Sequence, residues 1–314
     1  MSEGLCVVGS FMMDLIAYAD RRPGPGETLA GTAFVQSPGG KGFNQAVAAA
    51  RAGAAVSMVG MLGADSLADD FRSVLRAEHI DAAGVAADPA EGTGVGLPVV
   101  AADGQNSIVI IPRANLAITP GDVSARRSVI ESAKVVLLQL ELPMDAVIEA
   151  ARIGRRSGAQ VVLNPAPFAP LPDDLLALVD VVVPNEVEFD AWAGLQEPSD
   201  DERAVAARKL AAVHRCLIVV TVGARGALVV PADGSTPTPV SAPAVTVVDT
   251  IGAGDTFCGY LAAALSQGLA VEAAVNRAVA AGALAVTRRG GAASAPTDAD
   301  VKAFLGGAPA AALP

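Results

Sequence analysis

Histidine is nearly missing from this 314-residue chain, with only His79 and His214 present. Neither sits in a pattern of metal ligands, and both flank apolar helical segments, so each reads as a helix-surface or helix-end residue. That scarcity works against a Ser-His-Asp hydrolase and against a histidine-built zinc site, which need imidazole as base or ligand. Proton transfer therefore falls to carboxylates. Cysteine is scarce too: Cys6, Cys216 and Cys258 are odd in number, scattered and never spaced Cys-x-x-Cys, which fits a reducing cytosol. Basic residues are outnumbered, 22 Lys and Arg against 33 Asp and Glu, for a net charge of −11. A nucleic-acid partner would need the basic patch that this balance denies, and an anionic substrate would have to be met by local groups. Met1-Ser-Glu-Gly4 runs into the apolar stretch 5–8 without a basic n-region, and no apolar run is long enough for a bilayer. We expect no signal peptide, no membrane partner and a cytoplasmic location.

What is present is apolar. The share is 52%, ample for a core, and Ala-rich helices supply much of it. The length suits one large α/β domain with at most a small appendage. Runs rich in Val, Leu and Ile at 5–8, 56–60, 135–138, 161–164, 179–184 and 217–222 read as strands buried on both faces. Helical patterns lie between them at 43–52, 68–78, 144–156, 187–193 and 201–213, and others close the chain at 259–267, 271–286 and 298–304. This alternation predicts a doubly wound parallel sheet in a single domain over residues 1–314, with a fraying tail after Gly306. Two segments break the rhythm. Residues 14–35 carry Pro23-Gly-Pro-Gly26 between short alternating stretches, and residues 93–111 read as two strands around an Ala102-Asp-Gly104 turn. They predict antiparallel hairpins that leave the main sheet and combine into a small β-layer, serving as a lid, as a dimer surface, or as both.

The densest chemistry sits in Asp249-Thr-Ile-Gly-Ala-Gly-Asp255, between a strand-like run at 245–248 and a helical pattern at 256–265. Gly252 and Gly254 leave bare backbone at a helix N-terminus, where free N–H groups and the macrodipole attract an anion. Asp255 lies in that first turn. A carboxylate beside a bound phosphoryl group is what a kinase needs to take a proton from a hydroxyl. Other polar clusters interrupt the core pattern at expected strand ends: Asp14 after Gly9-Ser10, the Gly-rich turn Pro38-Gly-Gly-Lys-Gly-Phe-Asn44, and Glu141 in Gln-Leu-Glu-Leu-Pro. Asn164-Pro-Ala-Pro167, Pro184-Asn-Glu-Val-Glu188 and Thr221-Val-Gly-Ala-Arg-Gly226 follow. The turn at 38–44 is no Walker A loop, because Gly42 follows Lys41 where Ser or Thr is required. The first strand is followed by Gly9-Ser-Phe-Met, not Gly-x-Gly-x-x-Gly, which excludes a nicotinamide-binding unit.

Taken in order, these blocks resemble the PfkB carbohydrate-kinase family, and its ribokinase branch in particular, from about Leu5 to Phe304. The resemblance implies a three-layer α/β/α sandwich with a small β-sheet lid, formed here by about 12–38 and 93–115. It implies ATP-dependent transfer of a phosphoryl group to the 5-hydroxyl of a pentose, with Mg²⁺ required, K⁺ as activator and a homodimer formed through the lids. Asp255 is then the base, and the N–H groups of Gly252, Ala253 and Gly254 form the anion hole. Met12, Asp14, Gly40, Lys41, Asn44 and Glu141 fall on sugar-binding positions, together with Asp255. Asn185, Thr221, Gly223, Arg225, Gly226 and Gly254 fall on nucleotide-binding ones, with Arg225 near the phosphates or ribose. Glu188 falls on a position that holds Mg²⁺ through water. Asp249, Ile251, Ala285, Arg288, Gly290 and Ser294 align with a monovalent-cation site, although Arg288-Arg-Gly-Gly291 also reads as a plain solvated loop.

Two departures from the family pattern stand out. Ribokinases carry Asn where this chain has Met12, and Met offers no hydrogen bond to a sugar hydroxyl. Leaving such a hydroxyl unpartnered costs about 1–3 kcal/mol, and a 2-deoxy sugar suffers less. Gly9-Ser-Phe-Met-Met-Asp-Leu-Ile16 also resembles deoxyribokinases of the same branch, so D-ribose and 2-deoxyribose both stay open as the substrate. Fructokinase, nucleoside kinase and keto-deoxy-sugar-acid kinase are more distant rivals. Arg113 stands where the family has Gly before Ala114-Asn115. A non-catalytic sugar sensor on this fold would be expected to lose Asp255 or the glycine pair, and this chain keeps both.

Overall fold

The structure, a computed structural model, describes residues 4–307; Met1-Ser-Glu3 and the tail beyond Gly307 lie outside the described residues. Short Val/Leu/Ile runs become strands here because an apolar layer awaits them on each side. In β1 (Leu5–Val8), Leu5 and Val7 enter one buried cluster while Cys6 and Val8 enter another. That is the two-residue period of a strand sandwiched between helical layers. After β2 (Met12–Ala19) and β3 (Ala33–Gly39), which leave this sheet, β4 (Val56–Gly63) and β5 (Asp81–Asp88) rejoin it. Next, β6 (Gly94–Ala101) and β7 (Asn106–Ile111) leave it again, and β8 (Val135–Leu138), β9 (Gln160–Leu163), β10 (Val181–Val182) and β11 (Leu217–Thr221) return. Finally β12 (Ala227–Val230) and β13 (Thr238–Val240) complete the sheet among the described residues, in the order β13-β12-β11-β10-β9-β8-β1-β4-β5. Helices Lys41–Arg51, Ser66–Ala77, Ala253–Ser266 and Val271–Ala285 cover the Leu5 side. Helices Met144–Ser157, Glu186–Ala193 and Asp200–His214 cover the Cys6 side. The result is a three-layer α/β/α sandwich.

The sheet departs from the expected parallel one at its edge. It is parallel from β11 to β5, but β12 and β13 fold back antiparallel. The turn that reverses the chain ends at Gly226, φ +102°, where a Cβ would stand 2.0 Å from the Val240 carbonyl oxygen. β5, Asp-Ala-Ala-Gly-Val-Ala-Ala-Asp, escapes sequence reading because its alanines carry no strand signature. The run 245–248 errs in the other direction and forms no strand. The N–H groups of Val248 and Asp249 instead donate to the Val286 carbonyl at 2.7 and 3.2 Å, so this segment rests on a helix end.

Both irregular segments build a second sheet, ordered β3-β2-β6-β7. β2–β3 and β6–β7 are antiparallel hairpins, but β2 and β6 pair in parallel, which the sequence pattern did not suggest. The parallel seam follows from topology. β2 continues outward from β1 and β6 from β5, and those two strands already run in the same direction. Apolar side chains are open on both faces of this small sheet: Phe34 and Val109 lie on one, Ile108 and Ile110 on the other, and all four are more than half exposed. Among the described residues, no helix is long and apolar enough to cross a membrane.

Candidate active site

Polar residues at the C-terminal ends of the central strands meet the N-termini of the helices Lys41–Arg51 and Ala253–Ser266, the crevice where open α/β sheets bind ligands. The second helix begins at Ala253, ahead of the apolar pattern that starts at Thr256. Gly252 caps it at φ +77°, and a Cβ there would stand 2.8 Å from the Gly291 backbone, so the position belongs to glycine. The first intrahelical bond runs from the Thr256 N–H to the Gly252 carbonyl at 2.8 Å. The N–H groups of Ala253, Gly254 and Asp255 precede it, and that of Ala253 makes only a long 3.4 Å contact with the Thr250 carbonyl. A Cβ on Gly254 would meet nothing within 4 Å, which leaves open space beside this turn.

Asp255 sits at that helix end with one amide donor on each oxygen. Asn44 Nδ2 donates to Oδ2 at 2.9 Å and Gln45 Nε2 to Oδ1 at 3.0 Å. The carboxylate lines a cleft of about 240 Å³ with Lys41, Asn164, Asn185, Glu188, Thr221, Thr250, Gly252, Gly254 and Cys258. Burial pulls the Lys41 ammonium toward a lower pKa, and the surrounding Asp255, Glu141 and Glu188 carboxylates more than offset it, so the net shift is upward. Glu188 is pushed up as well, chiefly by burial and further by the charge of Asp255, against the pull of its bond from Asn185 and of Lys41. One cation thus stands among three carboxylates.

The residues aligned with sugar binding gather around the first turn of the helix Lys41–Arg51. Glu141 Oε2 accepts the Ser10 hydroxyl at 2.5 Å and the Lys41 N–H at 2.8 Å. It thereby caps the helix whose N-cap, Gly40 (φ +91°), has no side chain to do so. Asp14 on β2 has its carboxyl pushed up to about 6, first by burial and then by the neighbouring Glu141 charge. Gly96 lies opposite on β6, where a Cβ would come within 2.4 Å of Asp14 Oδ1. Met12 shares the Asp14 face of β2, two residues away, while Met13 faces the core. Met12 is buried yet belongs to neither apolar cluster. Asn44 Oδ1 is buried without a partner, although its amide nitrogen is engaged by Asp255.

On the opposite rim, Asn185 and Glu188 cap the helix Glu186–Ala193 reciprocally: the Glu188 N–H donates to Asn185 Oδ1 at 2.8 Å, and the Asn185 N–H to Glu188 Oε2 at 2.9 Å. Thr221 bridges to Asn185 at the end of β11. Gly223, Arg225 and Gly226 do not line the cleft, and the Arg225 guanidinium is engaged by Glu186 and Asp200. Asp249 joins two loops, accepting the Ile251 N–H on Oδ1 and the Gly290 N–H on Oδ2, both at 3.0 Å. The Ala285 carbonyl accepts the Arg288 N–H at 3.0 Å, and the Arg288 guanidinium is turned to Asp300 at 3.1 Å. Ser294 Oγ donates to the Gly291 carbonyl at 2.8 Å. Asp249, Ile251 and Gly290 are thus tied together beside the glycine turn, while Ala285, Arg288 and Ser294 bond to one another or to other partners. Among the described residues, no group of three or more His, Cys, Asp or Glu is placed to hold a metal by itself.

Some participants were not legible. Gln45 and Gln139 are fully buried beneath Asp255, and their signal was a polar residue inside an apolar run, beside Phe43 and Ala46 in one case and after Leu138 in the other. Arg113 adopts φ +47° and ψ −118°, a backbone that favours glycine, which accounts for the Gly expected there. Its guanidinium donates to the Thr93 carbonyl at 3.1 Å and lies across the bare face of Gly92.

Residues 2–298 match the sequence profile described as pfkB family carbohydrate kinase. A ribokinase of Haemophilus influenzae is 36% identical over 309 residues, covering 97% of this chain and 99% of its own. A deoxyribokinase of Salmonella typhi is 37% identical over 302 residues, covering 96% and 98%. The solved structure of Arabidopsis thaliana ribokinase complexed with ribose and ATP superposes with a TM-score of 0.89 at 30% identity, covering 97% of this chain and 99% of that one.

Proposed function

We propose that this chain, which belongs to the pfkB family of carbohydrate kinases, transfers the γ-phosphoryl group of ATP to the 5-hydroxyl of D-ribose. The observation that carries the reading is Asp255, clamped by Asn44 and Gln45 at a helix N-terminus, beside backbone N–H groups and facing Lys41 across the cleft. In this reading Asp255 takes the proton from the sugar hydroxyl. The glycine turn, with the N–H groups of Gly252, Ala253 and Gly254, stabilises the charge on the phosphoryl group in flight. Asp14, Gly40, Lys41, Asn44 and Glu141 hold the sugar, and the unpartnered Asn44 Oδ1 is free to accept one of its hydroxyls. Asn185, Thr221 and the turn Gly223–Gly226 border the nucleotide, with Arg225 bracing that rim through Glu186 and Asp200. Glu188 and Asn185 would hold Mg²⁺ through water, since that ion keeps several waters and takes few protein ligands. The oxygens at Asp249, Ile251, Ala285, Arg288, Gly290 and Ser294 would hold K⁺. Mg²⁺ would supply positive charge to the phosphates, and the monovalent cation would order the loop that carries the anion hole.

The small sheet, segments 12–38 and 93–115, closes over the sugar as a lid and excludes water. Its exposed apolar side chains, Phe34 and Val109 on one face and Ile108 and Ile110 on the edge strand's other face, support a homodimer formed lid to lid. The unpaired, buried Cys6, Cys216 and Cys258 support a reducing, cytoplasmic setting.

Met12 favours a second reading, 2-deoxyribose as substrate. It is buried on the Asp14 face, where a thioether offers a sugar hydroxyl no hydrogen bond comparable to that of Asn. Coupled detection of ADP release, with ribose and 2-deoxyribose side by side in K⁺ and in Na⁺ buffer, separates the two. Faster ribose turnover supports the main reading, faster deoxyribose turnover the second, and turnover of neither sinks both. Met12→Asn is expected to raise the ribose-to-deoxyribose ratio of kcat/KM by roughly 5- to 150-fold, the equivalent of one regained hydroxyl partner. An unchanged ratio would mean that Met12 only packs.

Acid should weaken sugar capture. With the Asp14 carboxyl at about 6, the group is an ionised acceptor above that pH and takes up its proton below it. The kcat/KM for sugar reports groups of the free enzyme. It is expected to fall as pH drops through about 6 and to lose that limb in Asp14→Asn. A wild-type profile flat from pH 8 to 5 would show that the Asp14 charge is not used.

A further inference from the structure

Beneath Asp255, three buried amides form a chain to which the transfer chemistry assigns no part. Gln45 Nε2 donates to Asp255 Oδ1 and to Asn164 Oδ1, each at 3.0 Å, while Gln45 Oε1 accepts from Gln139 Nε2 at 2.7 Å. Asn164 Nδ2 donates to the Val183 carbonyl at 2.8 Å. All three amides are buried.

A primary amide keeps its shape when turned over, and only its partners decide which end is the nitrogen. Here the decision begins at Val183, whose carbonyl can only accept. That acceptor claims the Asn164 nitrogen and leaves the Asn164 oxygen facing Gln45. The oxygen in turn claims the Gln45 nitrogen, whose second N–H then points at Asp255. Gln139 holds the other end by donating to the Gln45 oxygen, but its own oxygen has no partner, so it can turn with Gln45 and does not choose the direction. A reversed Gln45 would set an oxygen against the Asp255 carboxylate and against Asn164 Oδ1. The ends of β9 and β10 thereby set the direction of one hydrogen bond, and the end of β8 holds the amide that makes it. Gln45 does not line the cleft, so this bond to Asp255 exists before any sugar arrives.

We propose that Gln45 is the positioning residue of Asp255, that Asn164 acts through it by fixing which way its amide points, and that Gln139 acts through it by holding that amide in place. This rests on Asp255 being the base. Asn44, the other donor, belongs to the sugar pocket, whereas Gln45 is a fixed support that holds the carboxylate in register with the anion turn.

Steady-state kinetics of the full chain carrying Gln45→Met, Gln139→Met and both together test the proposal. Gln45→Met keeps the length and loses the donor, and a misplaced base should lower kcat by about 10- to 100-fold with both KM values within about threefold. Gln139→Met should show a smaller fall of the same kind. The double variant should be no worse than Gln45→Met, because Gln139 then has no amide left to hold. Independent, multiplying losses would overturn the proposal, as would a Gln45→Met enzyme that keeps more than about a third of kcat or loses only in KM. If Gln45→Met does not fold, Gln139→Met decides the matter: lower kcat at unchanged KM supports it, and unchanged kcat overturns it. Asp255→Asn, measured alongside, separates the two levels. If that variant retains turnover, the base itself is wrongly assigned. If it loses turnover while the glutamine variants do not, only the positioning role fails.

Discussion

Asp255→Asn should lower kcat by about 10²–10⁴-fold, the range for loss of a general base, while sugar affinity changes little. The substitution is isosteric, and the surrounding bonds say how it will seat. Gln45 presents an N–H whose direction is locked from below, so the new amide must turn its oxygen toward Gln45. Its nitrogen then faces Asn44, whose amide is free to reverse because its own oxygen has no partner. The fold therefore absorbs the change with one amide flip, which turns the Asn44 nitrogen toward the sugar, where a hydroxyl can accept a hydrogen bond instead of donating one. The anion turn is untouched, since Gly252 and Gly254 contribute backbone only. What disappears is the ability to accept a proton. Calorimetric titration of the sugar alongside kcat checks both halves, and a variant that keeps most of its turnover would remove Asp255 from the mechanism.

How much of this was readable beforehand depends on what each residue announces. Val135–Leu138 and Leu217–Thr221 were recognisable as strands because aliphatic residues dominate them, with a buried layer to enter. β5 and β12 went unseen, the first for its alanines and the second for following a turn that reads as the end of a unit. The run at 245–248 looked like a strand because hydropathy cannot tell a sheet neighbour from the end of a helix. The charged members of the site, Asp14, Lys41, Glu141, Glu188 and Asp255, stood out because a charge at a strand end has few structural excuses. Gln45 and Gln139 did not, since a neutral amide in sequence looks the same on a surface as in a core. The ion pairs of Arg225 with Glu186 and Asp200 were equally hidden, as they join segments 39 and 25 residues apart.

Gly254→Ala should move stability and activity in opposite directions. Gly254 lies in the first turn of the helix Ala253–Ser266 with ordinary helical φ, and a Cβ there meets nothing within 4 Å. Alanine costs no strain at such a position and restricts the unfolded chain, so the protein should gain about 0.5–1 kcal/mol and melt slightly higher. That empty space, however, is the cleft beside the anion turn. A methyl group there keeps the transferred phosphoryl away from the N–H groups of Ala253 and Gly254, and loss of such a contact costs about 10²–10³-fold in kcat. Gly252→Ala provides the contrast. There the backbone is left-handed and the Cβ would press on Gly291, so stability and activity should fall together. A thermal melt and a kcat measurement on each variant resolve the pattern. If Gly254→Ala melts higher and still turns over normally, the phosphoryl group does not pass across this turn, and the anion hole must be sought elsewhere along the cleft.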